Sequence, residues 1–415
     1  MNYTDIEIMS PVGSYEALMG AIQGGADSIY FGVGTLNMRS GSANNFTIDD
    51  IKPIVETAKQ HGVKTYLTLN TIVYDEELDY LKQVIDRAKQ NNIDAIIASD
   101  MAVLSYAKEK QVEIHLSTQC NITNIESVKF FSSFADVIVT ARELSLNQVK
   151  NIIDKIEEQN IRGPKGELIR IECFVHGALC MAVSGKCYIS LDNANKSANR
   201  GSCLQYCRRP YKVTDLDGGT ELLVDNKYIM SPKDLKTIDF LDKILSSGVR
   251  VLKIEGRGRS AEYVKTVTQT YKEAVKAYFS NSFNEENKKK WNEKLRSVYN
   301  RDFWDGYYLG QKVGEWTTKY GSRATKEKEF IGIVTNYFKN IGVAEIKIQT
   351  GELSLGDEIL VLGPTTGVYQ DIVGEIRVDL LKVEKAIKGE AFSIATKEIL
   401  RRGDKLYKMK NKEND

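Results

Sequence analysis

Histidine is nearly absent from this chain: His61, His115 and His176 are the only three in 415 residues. Neither H-E-x-x-H nor G-x-S-x-G occurs, which removes the ready-made zinc-peptidase helix and the serine nucleophile elbow. A Cys–His nucleophile would have to be drawn from Cys180 or Cys173 with His176. A zinc site of two imidazoles and one carboxylate would need His115, His176 and Glu172. No run approaches ~18 consecutive apolar residues, so no membrane span is expected. Residues 1–7 carry no basic stretch leading into an apolar one, so secretion is not indicated and the cytoplasm is the expected compartment. Charge of one sign is lacking too: 57 Lys and Arg stand against 56 Asp and Glu. That balance removes whole-surface attraction to nucleic acid but leaves room for local basic patches. Proline is scarce (6 residues), which in a chain rich in Lys, Asn and Ile reflects source bias more than function.

Cysteine is also scarce, yet four of the 6 cysteines fall within 28 residues, as Cys180, Cys187, Cys203 and Cys207 in a C-x6-C-x15-C-x3-C pattern. Disulfides are disfavoured, because nothing points to an oxidising compartment and Cys120 and Cys173 would be left among apolar residues. Structural zinc prefers close C-x2–4-C pairs, and only Cys203/Cys207 come near that. An iron–sulfur cluster needs four thiolates and tolerates loose spacing. Cluster, zinc and unligated thiols all remain open on spacing alone.

The first two-thirds of the chain alternates short β-branched runs with amphipathic stretches. Strands are expected at Ile6–Met9, Ser28–Gly32, Lys64–Leu69, Ala95–Ala98, Glu113–Ser117, Val137–Thr140, Ile169–Phe174 and Val249–Ile254. Between them lie helical patterns such as Glu76–Gln90, with Leu78, Leu81, Val84, Ile85 and Ala88 on one face. Thr47-Ile48-Asp49-Asp50 and Ser231-Pro232-Lys233-Asp234 read as helix starts, and Gly62 and Gly248 as stops. Eight β–α units in about 280 residues fit an α/β (β/α)8 TIM-like barrel. A doubly wound sheet would need a Gly-rich phosphate turn after the first strand, and Ser10-Pro11-Val12-Gly13-Ser14 is a poor one. The expected organisation is a barrel over 1–280 with a Cys-rich insertion at 176–212, a helical, polar connector over 281–325, and a small all-β barrel over 326–410. Turn signals such as Leu355-Gly356-Asp357, Lys388-Gly389 and Arg402-Gly403-Asp404 mark the last region. Its pattern resembles the second domain of translation elongation factors, a module that handles tRNA in that family; a packing or dimerisation barrel is the alternative.

Catalysis in such barrels sits at the C-terminal strand ends. Those ends gather Asn70, Ser117-Thr118-Gln119, Arg142-Glu143, Glu172 through His176, and Lys253-Ile254-Glu255-Gly256-Arg257, with Arg39 from the loop after the second strand. Guanidinium forks suit carboxylates and phosphates, so the rim points to an anionic substrate. The alternative is that these charges only pair with one another. The four cysteines follow the seventh strand, at the same face.

Glu172-Cys173-Phe174-Val175-His176-Gly177-Ala178-Leu179-Cys180, with Ser184-Gly185-Lys186-Cys187-Tyr188, resembles the signature of the collagenase-like peptidase family U32. Gly25-Ala26-Asp27-Ser28-Ile29-Tyr30-Phe31-Gly32, Ala141-Arg142-Glu143-Leu144, Asn199-Arg200-Gly201 and Lys253-Ile254-Glu255-Gly256-Arg257 match the same family, over nearly all of residues 6–275. With the added β-domain the chain is similar to the longer members, the tRNA hydroxylation proteins. The resemblance implies formation of 5-hydroxyuridine at the tRNA wobble position, with prephenate as the required metabolite. It also implies a 4Fe–4S cluster on Cys180, Cys187, Cys203 and Cys207, with zinc as the alternative, and a paralogous family member as a candidate partner. The family name implies proteolysis, which the residues favour less; a non-catalytic RNA-binding factor is the third reading.

On that resemblance Arg39, Asn70, Arg142, Lys253 and Arg257 become candidates for gripping a small dicarboxylate, and Glu172, His176 and Glu255 candidate proton-transfer groups. RNA contact is expected from Arg200, Arg208 and Arg209, with Lys196 and Lys212 nearby. Further basic clusters lie at Lys319, Arg323, Lys326 and Lys328 and at Arg401, Arg402, Lys405 and Lys408. Tyr206, Tyr211 and Tyr320 are interleaved and suited to stacking on unpaired bases.

Overall fold

The computed structural model describes residues 2–41, 45–211, 213–214, 221–222, 230–310 and 314–412. Lys212 therefore lies outside the described residues. The strands β1 (Glu7–Pro11), β2 (Ser28–Phe31), β3 (Lys64–Leu69), β4 (Ala95–Ala98), β5 (Ile114–Leu116), β6 (Val137–Val139), β7 (Arg170–Gly177) and β8 (Val251–Ile254) pair in parallel, in chain order. Pairing of β8 with both β7 and β1 closes the ring. All eight expected strands are present, with ends moved by no more than three residues.

The helices form where capping and periodicity point. Ser14 accepts the Ala17 amide to start α1 (Tyr15–Gln23). The Asp50 carboxylate, by accepting the Thr47 amide at 2.7 Å, sets the turn before α2 (Ile51–Gln60), which stops ahead of Gly62 at φ +70°. In α3 (Leu78–Gln90) the buried face is Leu81, Val84, Ile85 and Ala88, the expected stripe except for Leu78, which is half-buried at the first turn. The outer ring continues with α4 (Met101–Glu109), α5 (Ile125–Phe131) and α6 (Leu146–Glu158). A short α7 (Ile189–Ala194) lies in the cysteine segment, followed by α8 (Leu241–Ser246), α9 (Ala261–Phe279) and α10 (Glu285–Ser297).

One expected helix start is a strand. Asp234–Lys236 pairs antiparallel with the end of β7, Leu235 opposite Gly177 and Lys236 opposite His176, and Leu235 also pairs with Trp304. The Asp234 carboxylate, instead of capping a following helix, accepts the Arg301 amide at 3.2 Å and faces its guanidinium at 3.4 Å. The helix begins later, at Leu241.

The C-terminal region is an eight-stranded antiparallel sheet around its own core, with Ile331, Val334, Ile346, Ile359, Phe392 and Leu406 all buried. Its edge strand Gly367–Ile372 docks on the barrel. Gln23 accepts the Val368 amide at 2.9 Å and donates to the Thr366 carbonyl at 3.0 Å, and Lys265 donates to the Val368 carbonyl at 2.8 Å. Among the described residues no helix is long and apolar enough to cross a membrane.

Candidate active site: a cation-walled, thiol-lined cavity

The strand ends and the cysteine segment enclose a cavity of about 340 Å³. Tyr30, Thr68, Asn70, Ser117, Arg142, Phe174 and Lys253 line it from the strands, and residues 178–208 cover it. Among the described residues seven cations reach the lining (Arg39, Arg142, Arg208, Lys253, Arg257, Arg259 and Arg301) against one carboxylate, Glu255. The rim charges therefore do not cancel. Arg39 Nη2 pairs with Glu255 Oε1 at 2.6 Å, and Lys253 Nζ pairs with Glu172 Oε1 at 2.6 Å, one layer deeper.

Arg257 has no carboxylate partner among the described residues. Among the described residues its hydrogen bond is to Thr68 Oγ1 at 2.9 Å, and burial depresses its guanidinium to about 10. Arg142 lies with its guanidinium 4.3 Å from the centre of the Phe174 ring, and among the described residues its buried Nε has no hydrogen-bond partner. A buried donor without an acceptor is costly, and Arg142 Nε is such a donor in this wall. For Glu255, burial pushes the carboxyl up, but Arg39, Arg259 and Arg142 outweigh it and hold it at about 2. It is a fixed anion that aims Arg39.

Close packing fixes this grip. A Cβ at Gly32 would strike the Arg257 guanidinium and stand 2.6 Å from Asn37 Cγ. Gly32→Ala is expected to fold with a loss of ~1–3 kcal/mol and to displace Arg257. Thermal denaturation and anion titration would check both; unchanged anion affinity would sever Arg257 from binding.

All four clustered thiols line the same cavity. Burial lifts the Cys207 thiol to about 11; Arg208 works against this, while Cys180, Cys203 and Cys187 push the same way. Cys203 in turn raises Arg39, which places the thiol set beside the anion grip. Among the described residues no group of three His, Cys, Asp or Glu side chains could hold a metal ion. The zinc triad of His115, His176 and Glu172 is therefore not formed. A single zinc ion would need its sulfurs ~4 Å apart. The four cysteines likewise do not converge on one ion among the described residues, although all four line the same cavity and their thiols are the donor type that an iron–sulfur cluster takes.

The family model described as Peptidase family U32 matches residues 13–318. The chain belongs to this family. It is 57% identical over 413 residues, covering 100% of both chains, to a protein of Porphyromonas gingivalis named collagenase. It is 34% identical to a tRNA hydroxylation protein of Bacillus subtilis, over 86% of this chain and 83% of the other. It is 37% identical to a 23S rRNA 5-hydroxycytidine synthase of Escherichia coli, over 66% of this chain and 39% of that one. One U32 fold thus carries relatives named for proteolysis and relatives named for RNA hydroxylation.

His176 does not join the U32 cavity. Phe174 pairs with Lys253 and His176 with Ile254, so Val175 is a bulge that turns the following side chain outward. His176 is buried between β7 and α9, with Tyr271 Oη 3.4 Å from Nδ1 and the rings of Tyr263 and Phe303 at 6.0 and 5.5 Å. Burial, with Lys236 and Arg259, drops it to about 3, leaving it neutral. Glu172 lies under the floor and not in the cavity. Asn70 lines the wall, but its oxygen holds the Met38 amide at 3.2 Å and its Nδ2 donates to Ser117 Oγ at 3.3 Å.

Two of the three RNA candidates already hold partners within the fold. Arg200 donates to Glu77 Oε1 at 2.7 Å and lies 4.0 Å from the centre of the Tyr74 ring. Arg208 donates to the Leu179 carbonyl at 2.6 Å and to Ser231 Oγ at 3.1 Å. Arg209 is exposed, its guanidinium 4.1 Å from the centre of the Tyr206 ring. A second chamber of about 400 Å³ adjoins the first, sharing Cys203, Gln205, Arg208 and Arg301. Its described lining adds Arg209, Lys319, Tyr299 and Tyr320, without a carboxylate.

Arg259 and Arg301 escaped the sequence reading. Arg259 lies beyond the Lys253–Arg257 string and faces the Tyr299 ring at 3.6 Å. Arg301 stands in the expected polar connector; the signal was the aromatic cluster around it, Tyr299, Phe303, Trp304, Tyr307 and Tyr308. Trp304 and Tyr308 are buried, and Tyr308 Oη donates to the Phe174 carbonyl at 2.8 Å.

Proposed function

We propose that the protein hydroxylates a uridine of tRNA to 5-hydroxyuridine, using prephenate as co-substrate and a 4Fe–4S cluster on Cys180, Cys187, Cys203 and Cys207. The observation that carries this reading is a single cavity lined by four thiols and seven cations with one carboxylate. Such a wall suits a dianionic metabolite beside a polyanion, and when bound the cluster would supply one-electron transfer there. Arg257, Arg142 and Lys253 grip the carboxylates, and Glu255 orients Arg39. The second chamber, with Arg209, Arg301 and Tyr320, takes a flanking nucleotide by phosphate pairing and base stacking. The relatives named for RNA hydroxylation support the same substrate class.

The relative named collagenase keeps peptidase activity as the rival. Among the described residues no imidazole lines the cavity to activate a thiol or a water. The test is nucleoside analysis of tRNA from a strain lacking the chain, beside iron and sulfide analysis of anaerobically purified protein. Loss of 5-hydroxyuridine, restored by wild type but not by Arg142→Ala, together with iron abolished by Cys187→Ala, is expected. Unchanged tRNA, or stoichiometric zinc, would overturn the reading. For the RNA contact, Arg209→Glu is expected to weaken tRNA binding and flatten its salt dependence by about one unit of slope.

A further inference from the structure

TIM-barrel interiors are usually packed with branched aliphatic side chains. This one carries a buried charged column along its axis. Glu113 Oε1 lies 3.5 Å from His115 Nε2, His115 Nδ1 lies 3.7 Å from Glu172 Oε2, and Glu172 Oε1 lies 2.6 Å from Lys253 Nζ. His115 and Glu172 are both 0% exposed. Lys253 is the top of the column and part of the cavity wall.

Each ring nitrogen of His115 faces a carboxylate oxygen. A neutral imidazole has one N–H and one lone pair, so one nitrogen would be turned against a negative oxygen. Only the doubly protonated ring suits both neighbours. The other groups around it are Tyr66 on β3, with ring centroids 4.4 Å apart, Glu7 on β1, Arg170 on β7 and Asp136 ahead of β6. Burial alone would strip the proton, but Glu113 and Glu172 outweigh it and raise His115 above its ordinary value.

The charge of this ring decides what the cavity floor presents. A Lys253–Glu172 pair by itself is neutral and gives an anion little to bind. Glu113 is already matched by Lys165 and by Arg170 at 3.8 Å. His115 is then the charge that offsets Glu172 and leaves Lys253 as a net cation. We propose that His115 is a resident imidazolium and a positioning residue, which acts through Glu172 to keep Lys253 available as the floor anchor for an anionic ligand. The proposal rests on the anion-binding reading of the cavity. Affinity should be full while His115 is protonated and lost as pH rises through its titration.

The test uses the full chain labelled with nitrogen-15 histidine, whose three residues keep the spectrum simple. Both His115 ring nitrogens are expected to carry protons at pH 6.5, where a free imidazole is half titrated, with His176 a neutral single tautomer; a neutral His115 at that pH would overturn the proposal. Calorimetric titration with prephenate and malonate is then expected to show an alkaline fall in affinity at the His115 midpoint, and a loss of about 10- to 30-fold in His115→Gln. Glu113→Gln should move that midpoint down, which provides a second route if His115→Gln fails to fold. If the wild type binds neither anion, the anion reading falls and takes this proposal with it. If it binds and its affinity ignores both the midpoint and His115→Gln, only this proposal falls.

Discussion

Arg257→Met is expected to weaken prephenate binding by about 100-fold while leaving the protein as stable as wild type, or more so. The guanidinium is 6% exposed, has no carboxylate partner among the described residues and is depressed from 12.5 to about 10 by burial. A depression of that size corresponds to ~3 kcal/mol held against the charged folded state. The sign follows from a cation whose folded value lies below its unfolded one. The penalty is present at all pH values below about 10 and fades only above that. Methionine keeps much of the stem's packing and removes the penalty, so thermal stability should hold or rise at neutral pH. The same change deletes a buried charge from the ligand site, which costs ~2–5 kcal/mol of binding in comparable cases. Structural and functional arginines are thereby separated by opposite responses. Arg208, whose donors go to the Leu179 carbonyl and Ser231, should lose stability on the same substitution. A drop in melting temperature for Arg257→Met with unchanged prephenate affinity would make Arg257 a structural strut.

Local rules made the barrel legible. β-branched runs, cap residues and glycine stops act within a few residues of one another, so all eight strands and the buried stripe of α3 could be placed from composition and spacing. Failures came where distant segments decide. Ser231–Asp234 has the letters of a helix start, yet Gly177 and Trp304 supply strand partners far along the chain. His176 has the letters of a catalytic base, yet one bulge at Val175 puts it behind the wall. Strand parity alone would have aimed it inward with Glu172 and Phe174, and no periodicity announces a bulge. Of the three expected proton-transfer groups, only Glu255 reaches the cavity, and it does so as the partner of Arg39. The cysteines and the Lys253–Arg257 string were readable because each sits in one short segment beside a strand end. Arg301 was not, because its segment reaches the site only by folding back through Trp304 and Tyr308.

Glu172→Gln is expected to cost ~3–5 kcal/mol, the usual result of leaving buried partners of an ion pair uncompensated. Glu172 Oε1 is held by Lys253 at 2.6 Å, while Oε2 lies 3.7 Å from His115 Nδ1 with no hydrogen-bond partner among the described residues, in a strand with no exposed surface at that position. The pH dependence of that loss is more diagnostic than its size. Burial pushes the Glu172 carboxyl up, but Lys253 and His115 outweigh it and hold it below 4.5. Its contribution is therefore complete above pH 4.5 and lost as pH falls beneath that value. His115 is raised above 6.5, so its contribution is complete below that pH and lost as pH rises through the raised value. The two limbs enclose a window in which both groups are charged, and the melting-temperature gap between wild type and Glu172→Gln should be widest there. Below the window both proteins carry an uncharged group at 172, so the gap should narrow. Above it His115 is neutral in both, and only the Lys253 contact distinguishes them. Calorimetric scans from about pH 4 to pH 9 would trace the gap. A pH-independent gap would mean that residue 172 stabilises the barrel by packing, and that the charged column through its axis is not a coupled unit.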